Sequence, residues 1–192
     1  MIRKGKTGDD DLALALEAQR GDRRAFAALA RRHQDRIFRF LLRLTGSRDD
    51  ALDLAQEAYL RAWQALPRWR PEAKFATWLF GIARNAAVDV LRRRGTVETV
   101  APEQLPERPD TAAGPFARLE ATERLRLLER ALAALSPEHR EILLLRETEE
   151  MAYEDIASAL GVSEGTVKSR LARARVAVLE QFRRMAGESE DE

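Results

Sequence analysis

Residues that could bind a polyanion are concentrated in the stretch LGVSEGTVKSRLARAR, Leu160 to Arg175, which carries four basic side chains. Projected as a helix at about 100° per residue, its second part turns apolar residues to one side and small or basic residues to the other. The outward positions are Gly165, Thr166, Ser169, Ala172 and Arg173, with Lys168 and Arg175 flanking them on one edge and Arg170 on the other. Small residues around one long donor let a helix approach base edges, and flanking cations can meet phosphates on both groove walls. The pattern predicts a DNA-binding surface.

The segment just before this stretch supplies the element that would position it. In AYEDIASAL, Ile156, Ala157 and Leu160 form an inward stripe. Gly161 then suits a left-handed turn, and Ser163 is a good N-cap for the next helix. A helix, a glycine turn and a second, basic helix make a helix-turn-helix, which places its second helix in the major groove of DNA. A basic amphipathic helix that is merely solvated is the alternative, and the order of turn, cap and basic helix favours DNA binding.

A second surface is predicted in KFATWLFGIARNAAVDVLRRR, Lys74 to Arg94. One face of this helix is an apolar stripe of Phe75, Leu79, Ile82, Ala86 and Val90, and a neighbouring face carries Trp78, Gly81, Asn85, Asp89 and Arg92. An aromatic ring, an amide and cations in line could stack on unpaired bases and hydrogen-bond to them. A tryptophan and an asparagine on a helix are also common as packing residues and satisfied buried amides, so this stretch alone leaves both functions open.

The helix before it, from Arg48 to Leu66, combines a predicted core with a separate polar stripe. Ser47 and Asp50 match a capping box at its start. The expected core positions are Leu52, Ala55, Tyr59, Trp63 and Leu66, and the separate stripe holds Asp53, Glu57, Leu60 and Gln64, with Gln56 near its edge. An exposed leucine between carboxylates suits a protein interface, and a solvated acidic face is the alternative that the sequence leaves open.

Apolar residues recur at helical spacing almost throughout, so an all-α fold is predicted. The helices are expected at 12–19, 23–44, 48–66 and 77–94 in the first half, and at 117–134, 137–147, 153–160 and 164–185 in the second. Between the halves, Gly95 to Pro115 holds four of the seven prolines, which predicts an extended linker; a long loop within one domain is the alternative. The domains are therefore placed at 11–94 and 119–185, around a linker at 95–118 and before an acidic tail at 186–192.

Composition argues against several functional classes. Lysine plus arginine number 33 against 32 for aspartate plus glutamate, so any nucleic-acid affinity has to come from local patches. Cysteine is absent, and His33 and His139 stand apart from any recognisable metal or nucleophile pattern; both are expected at a surface or an interface. We predict no catalytic residue, no metal site and no cofactor. No signal peptide is recognisable and no segment approaches the roughly 20 apolar residues that span a bilayer, so a soluble cytoplasmic protein without membrane insertion is expected.

Three motifs in one order resemble the bacterial sigma-70 family of initiation factors, in its small extracytoplasmic-function (ECF) group, which keeps only regions two and four. The motifs are DLAQEAYLRAWQAL, KFATWLFGIARNAAVDVLRRR and LSPEHREILLLRETEEMAYEDIASALGVSEGTVKSRLARARVAVLEQF. The resemblance covers nearly the whole chain apart from its termini and linker. It implies a sigma-2 helical bundle and a sigma-4 helix-turn-helix domain, joined by the extended linker, in a protein that starts transcription at specific promoters.

The resemblance also implies three working surfaces. The recognition face would read the −35 promoter element through Thr166, Lys168, Ser169, Arg170, Ala172, Arg173 and Arg175. The strand face would melt the −10 element and hold its non-template strand through Lys74, Trp78, Arg84, Asn85, Asp89, Arg92 and Arg93. The clamp stripe would grip the coiled coil of the RNA polymerase β′ clamp through Asp53, Gln56, Glu57, Leu60 and Gln64.

Further partners are implied in the same way. The polymerase β flap would dock on the first helices of the second half, whose core leucines and isoleucine are Leu132, Leu135, Ile142, Leu143 and Leu145. An anti-sigma factor would cover the polymerase-binding faces. The acidic linker would pass through the polymerase's active-site and RNA-exit channels with Glu98, Glu103, Glu107 and Asp110. A one-component regulator that binds duplex DNA without polymerase is the rival interpretation, and it explains the face at Trp78 and Asn85 less well.

Overall fold

The computed structural model describes residues 6–94 and 115–187, with side chains described for 10–92 and 122–187. This part of the chain is helical and contains no strand, so the all-α prediction is confirmed. The helices are α1 Lys6–Gln19, α2 Arg23–Thr45, α3 Arg48–Ala65, α4 Phe75–Arg94, α5 Pro115–Ala133, α6 Pro137–Leu143, α7 Tyr153–Leu160 and α8 Glu164–Ala186. A 3₁₀ turn, Leu66–Arg68, follows α3, and a π-helical turn, Leu144–Thr148, follows α6. None of these helices has the length and apolar character needed to cross a membrane.

Three helices begin earlier than the pattern predicts, and one of them is α4, which begins at Phe75 instead of position 77. The first residue of α1 is Lys6, ahead of the predicted domain start at 11, and the first residue of α5 is Pro115, inside the predicted linker at 95–118. Proline suits the first turn of a helix, where its missing N–H has no intrahelical acceptor in any case. Assigning Pro115 to an extended linker is therefore wrong. Residues 95–114 and 188–192, with the four linker carboxylates, lie outside the described residues.

Local signals explain where the helices of the first domain begin and end. Asp22 caps α2, its carboxylate accepting from the backbone N–H of Arg24 at 2.7 Å. Gly46 closes the same helix with a left-handed φ of 73°. Ser47 caps α3 as predicted, its hydroxyl oxygen accepting from the backbone N–H of Asp50 at 3.3 Å. Each cap supplies a partner for backbone groups that a helix end leaves unpaired.

The buried side of α3 differs from the predicted one. Its buried residues are Ala51, Leu54, Ala58 and Ala62, whereas Leu52 is 43% exposed. Small alanines at helical spacing let α3 approach α2 and α4 closely, which leaves Tyr59 and Trp63 half-buried at the edge of the core. The assignment of Leu52 to the core is therefore wrong, and Leu52 lies on the surface that carries the clamp stripe.

A buried carboxylate fastens α1 to α2. Asp11 is 5% exposed, His33 Nε2 lies 2.8 Å from its Oδ2, and the Arg32 guanidinium donates to its Oδ1. Burial alone would raise the pKa of Asp11, but the hydrogen bonds from His33 and Arg32 outweigh burial and hold that pKa below its usual value. His33 is 1% exposed and contacts the Phe75 ring, so this histidine lies among the packed helices and its expected position at a surface or an interface is wrong.

Replacing Asp11 by asparagine should lower the free energy of unfolding by about 2 kcal/mol near neutral pH, because the charged hydrogen bonds are lost. A carboxyl whose pKa is lowered by folding stabilises the protein above that pKa, and the contribution disappears as the pH falls through it. The difference between the wild type and Asp11→Asn in urea unfolding should therefore shrink with acidification. Asp10→Asn, at an exposed neighbour, is the control; an equal loss there, or a difference that grows with acidity, would contradict the assignment.

One half-buried arginine, Arg140, connects helix ends of the two domains. Arg140 donates to the backbone carbonyls of Leu132 and Leu135, each at 3.0 Å, and to that of Ala133, all at the carboxyl end of α5. A further bond at 2.9 Å reaches the carbonyl of Leu44, near the end of α2. Burial lowers the pKa of Arg140. The guanidinium thus donates to backbone carbonyls at two helix ends, where the helix dipole favours positive charge. Because one of these ends belongs to each domain, the hydrogen bonds join the two domains.

Candidate nucleic-acid and polymerase interfaces

The helix-turn-helix forms as the sequence predicts. Gly161 ends α7 in a left-handed conformation with φ 65°, and the Ser163 hydroxyl oxygen accepts from the backbone N–H of Thr166 at 3.2 Å, which starts α8. The inner side of α8 is anchored by the buried side chains of Val167, Leu171 and Ala174. Because this anchor fixes the rotation of the helix, it also determines which residues of the recognition face point outward.

The recognition face is largely open to solvent. Its exposed members are Lys168, Ser169, Ala172, Arg173 and Arg175, and its half-buried members are Thr166 and Arg170. Arg173 lies along its own helix, with Nε donating to the Ser169 carbonyl at 3.4 Å, a long bond that is easily exchanged for a ligand. Arg175 differs from the others because its guanidinium donates to Glu147 Oε1 at 2.7 Å, which raises the pKa of Arg175. The most accessible donors are therefore Lys168 and Arg173.

The strand face on α4 is only partly accessible. Asn85 and Arg92 are exposed and Asp89 is half-exposed, whereas Arg84 and Lys74 are engaged by carboxylates of the second domain. Arg84 also donates to Asn85 Oδ1 at 3.1 Å, which orients that amide. The side chain of Arg93 lies outside the described residues.

Trp78 belongs to an aromatic cluster beside the strand face. Its ring centroid lies 5.6 Å from that of Phe75 and 6.2 Å from that of the buried Trp69. Gln19 fixes the segment before α4 from α1, donating to the Trp69 carbonyl at 2.6 Å. Trp78 is thus half-buried by packing, with part of its ring left accessible. Trp69 was missed by the sequence reasoning, because its position in a non-helical connection gives no periodic signal.

The sequence pattern placed Gly81 on an open face of α4, and this expectation is wrong. A Cβ at this position would lie 3.4 Å from the carbonyl oxygen of Ala159 and 3.9 Å from its Cβ. Gly81 is buried where α4 crosses α7, and its lack of a side chain permits this close approach.

The clamp stripe is exposed along α3. Asp53, Gln56 and Gln64 are exposed, Glu57 is half-exposed, and the side chain of Leu60 is 59% exposed. Leu52, which the sequence reasoning assigned to the core, is a second exposed leucine of α3, about 80° around the helix from Leu60.

An ion-pair chain joins the clamp stripe to the strand face. Arg61 Nε donates to Glu57 Oε1 at 2.7 Å, and the same guanidinium lies 3.9 Å from Asp89 Oδ2. Asp89 in turn accepts from Arg92 at 3.3 Å. The two surfaces therefore share one network of exposed charges, whose individual pairs contribute little to stability.

The two domains match known family models. Residues 29–97 match Sigma-70 region 2, and residues 125–178 match Sigma-70 region 4. The RNA polymerase sigma-H factor of Pseudomonas aeruginosa is 35% identical over 181 residues, which cover 90% of this chain and 93% of that protein. The ECF RNA polymerase sigma factor SigE of Mycolicibacterium smegmatis is 34% identical over 171 residues, covering 87% of this chain and 66% of the relative's own length.

A solved complex has the same fold. The sigma factor RpoE bound to the anti-sigma factor NepR from Bartonella quintana aligns with a TM-score of 0.64 and 27% identity, over 82% of this chain and 96% of that one. The two matched regions, the relatives and the solved RpoE complex all indicate the same family. The chain belongs to the ECF group of the sigma-70 family. Its role is in promoter recognition and transcription initiation.

Proposed function

We propose that this sigma factor brings core RNA polymerase to promoters through two DNA surfaces, the recognition face for the −35 element and the strand face for the −10 element. The observation that carries the proposal is the exposed recognition face on a capped and anchored helix. Ser169 and Ala172 are small enough to let the helix approach base edges. Arg173 is exposed beside Ala172. Its guanidinium can donate two hydrogen bonds to one guanine, which is the commonest specific contact in the major groove.

The strand face is proposed to capture unpaired bases. Asn85 offers an exposed amide, the accessible part of the Trp78 ring offers a stacking surface, and Arg92 offers a cation for the backbone. Stacking on an aromatic ring is worth about 1–3 kcal/mol per base, which is comparable to the cost of unstacking a base from the duplex. Capture of bases at this face would therefore drive strand opening without a catalytic residue or cofactor, and we propose no enzymatic activity.

The partners follow from the exposed surfaces. The clamp stripe, with Leu60 among acidic and amide side chains, suits a basic and partly apolar partner such as the β′ clamp, and the second domain would receive the β flap. The complex of RpoE with NepR supports an anti-sigma factor as a regulator of this chain as well. With these partners, the place of action is the bacterial cytoplasm.

A transcription assay tests the proposal. The purified protein is added to core polymerase that lacks sigma, and transcripts are selected from a library of randomised promoters. We expect transcripts from promoters that share a two-part motif. Asn85→Ala should reduce the amount of transcript about tenfold, because it weakens binding of the −10 element, the downstream part of that motif. Gln34→Ala, an exposed amide on α2 outside the three surfaces, is the control and should match the wild type. Duplex binding without polymerase and no transcripts would instead indicate a one-component regulator.

A further inference from the structure

Arg175, at the edge of the recognition face, is held by a side chain from another element of the second domain. Its Nε and Nη2 both donate to Glu147 Oε1, at 3.1 and 2.7 Å. Glu147 belongs to the π-helical turn Leu144–Thr148, 28 positions earlier in the chain. Arg173, in contrast, bonds along its own helix. The orientation of Arg175 therefore depends on the fold of the domain and not on α8 alone.

The turn that holds Arg175 is itself anchored in the core. Leu144, the first residue of this turn, is 1% exposed. Tyr153, the first residue of α7, forms a further hydrogen bond with Arg175. The Arg146 guanidinium lies 5.0 Å from the centroid of the Tyr153 ring and packs over its face. These contacts restrict the positions that the Glu147 carboxylate and the Tyr153 hydroxyl can take.

The Arg175 guanidinium keeps donors for a ligand. A guanidinium carries more N–H groups than Glu147 and Tyr153 use. The Arg175 side chain is 50% exposed and that of Glu147 is 53% exposed, so the remaining N–H groups can be reached from solvent. Lys168 lies about two helical turns before Arg175 on the same edge of α8. Cations along the edge of a helix that enters the major groove are placed for phosphate and not for bases.

We propose that Glu147 and Tyr153 are positioning residues, which hold the Arg175 guanidinium in place to receive a phosphate of the −35 duplex. The inference rests on the proposed function, because it requires the recognition face to bind the −35 element. The fixed guanidinium pairs with the carboxylate on one side and with the phosphate on the other. A phosphate contact sets the register of the helix on the duplex without reading sequence, so its contribution is the same for every −35 sequence.

Charge alone predicts the reverse effect for Glu147. A carboxylate close to DNA repels the phosphates, so its removal would strengthen binding if Glu147 did nothing but neutralise Arg175. Loss of a positioning residue has the opposite effect, because the long arginine side chain then has to be ordered when the phosphate binds. The direction of the change in Glu147→Gln therefore separates the two roles.

The test measures binding of the holoenzyme, formed from core polymerase and this protein, to a fluorescent duplex that carries the selected −35 element. Arg175→Ala should lower the affinity about tenfold for preferred and altered −35 sequences alike, and should reduce the slope of log affinity against log salt by about one. Glu147→Gln should lower the affinity about threefold. The control is Glu154→Gln, at an exposed carboxylate of α7, which should bind as tightly as the wild type or slightly more tightly. Equal or tighter binding by Glu147→Gln would overturn the proposal.

A double-mutant cycle tests whether Glu147 acts through Arg175. In the Arg175→Ala background, Glu147→Gln should cause no further loss of affinity, and an undiminished loss there would overturn the proposal. The free energy of unfolding in urea should be close to that of the wild type in each variant, because exposed ion pairs contribute little to stability. A decrease large enough to explain the lost binding would overturn the positioning role as well.

The same measurements separate this inference from the proposed function. If neither Arg173→Ala nor Arg175→Ala weakens promoter binding, the recognition face does not bind the −35 element and the proposed function fails. If both substitutions weaken binding while Glu147→Gln does not, the proposed function stands and the positioning role fails.

Discussion

Replacing Arg173 by alanine should reduce transcription from a promoter selected for this factor by about tenfold to a hundredfold. A bidentate arginine contact to guanine is worth about 1–3 kcal/mol, and each 1.4 kcal/mol is a tenfold change in binding. Arg173 is exposed in the middle of the recognition face, and its single long bond to the Ser169 carbonyl is readily given up. The variant should also accept other bases at the corresponding position of the −35 element.

The matched control for this prediction is Arg183→Ala. Arg183 is exposed on α8 as well, but it lies near the carboxyl end of the helix, beyond the recognition face. Both substitutions remove one exposed cation, so a general electrostatic effect would weaken transcription equally in the two variants. Equal losses, or an Arg173→Ala protein that keeps its base preference, would contradict direct reading by this residue.

Features encoded by neighbouring residues could be predicted from the sequence. Ser47 and Ser163 cap their helices, and Gly161 makes its left-handed turn, because each signal acts within three or four residues. The inward side of α8 was predicted correctly for the same reason, since Val167, Leu171 and Ala174 contrast sharply with their polar neighbours.

Features that depend on distant parts of the chain could not be predicted. The inner side of α3 was misplaced because alanine gives a weak apolar signal, so Leu52 appeared to be the better core residue. The partners of Arg84 and Lys74 lie 57 and 81 positions away in the sequence. A pattern on one helix identifies a cation but not the carboxylate that meets it, so these contacts between the domains emerge only when both domains are placed together.

Replacing Leu60 by aspartate should weaken binding to core polymerase by at least about thirtyfold. Leu60 is the most exposed large apolar residue of the described chain, at 59%, and it stands among Asp53, Glu57 and Gln64. Truncating a central apolar anchor of an interface commonly costs about 2 kcal/mol or more, and a buried unpaired charge adds to that cost. Folding should be unaffected, because the side chain contributes little to the core.

Leu16→Asp is the matched control, since Leu16 is 38% exposed on α1, away from the clamp stripe. Affinity for core polymerase, measured by titrating labelled protein, should fall for Leu60→Asp and remain near the wild-type value for Leu16→Asp. Because Leu60 is remote from the recognition face, duplex binding by the second domain should be the same in both variants. A Leu60→Asp protein with normal polymerase affinity would mean that α3 presents only a solvated acidic face, and the polymerase contact would have to lie elsewhere on the molecule.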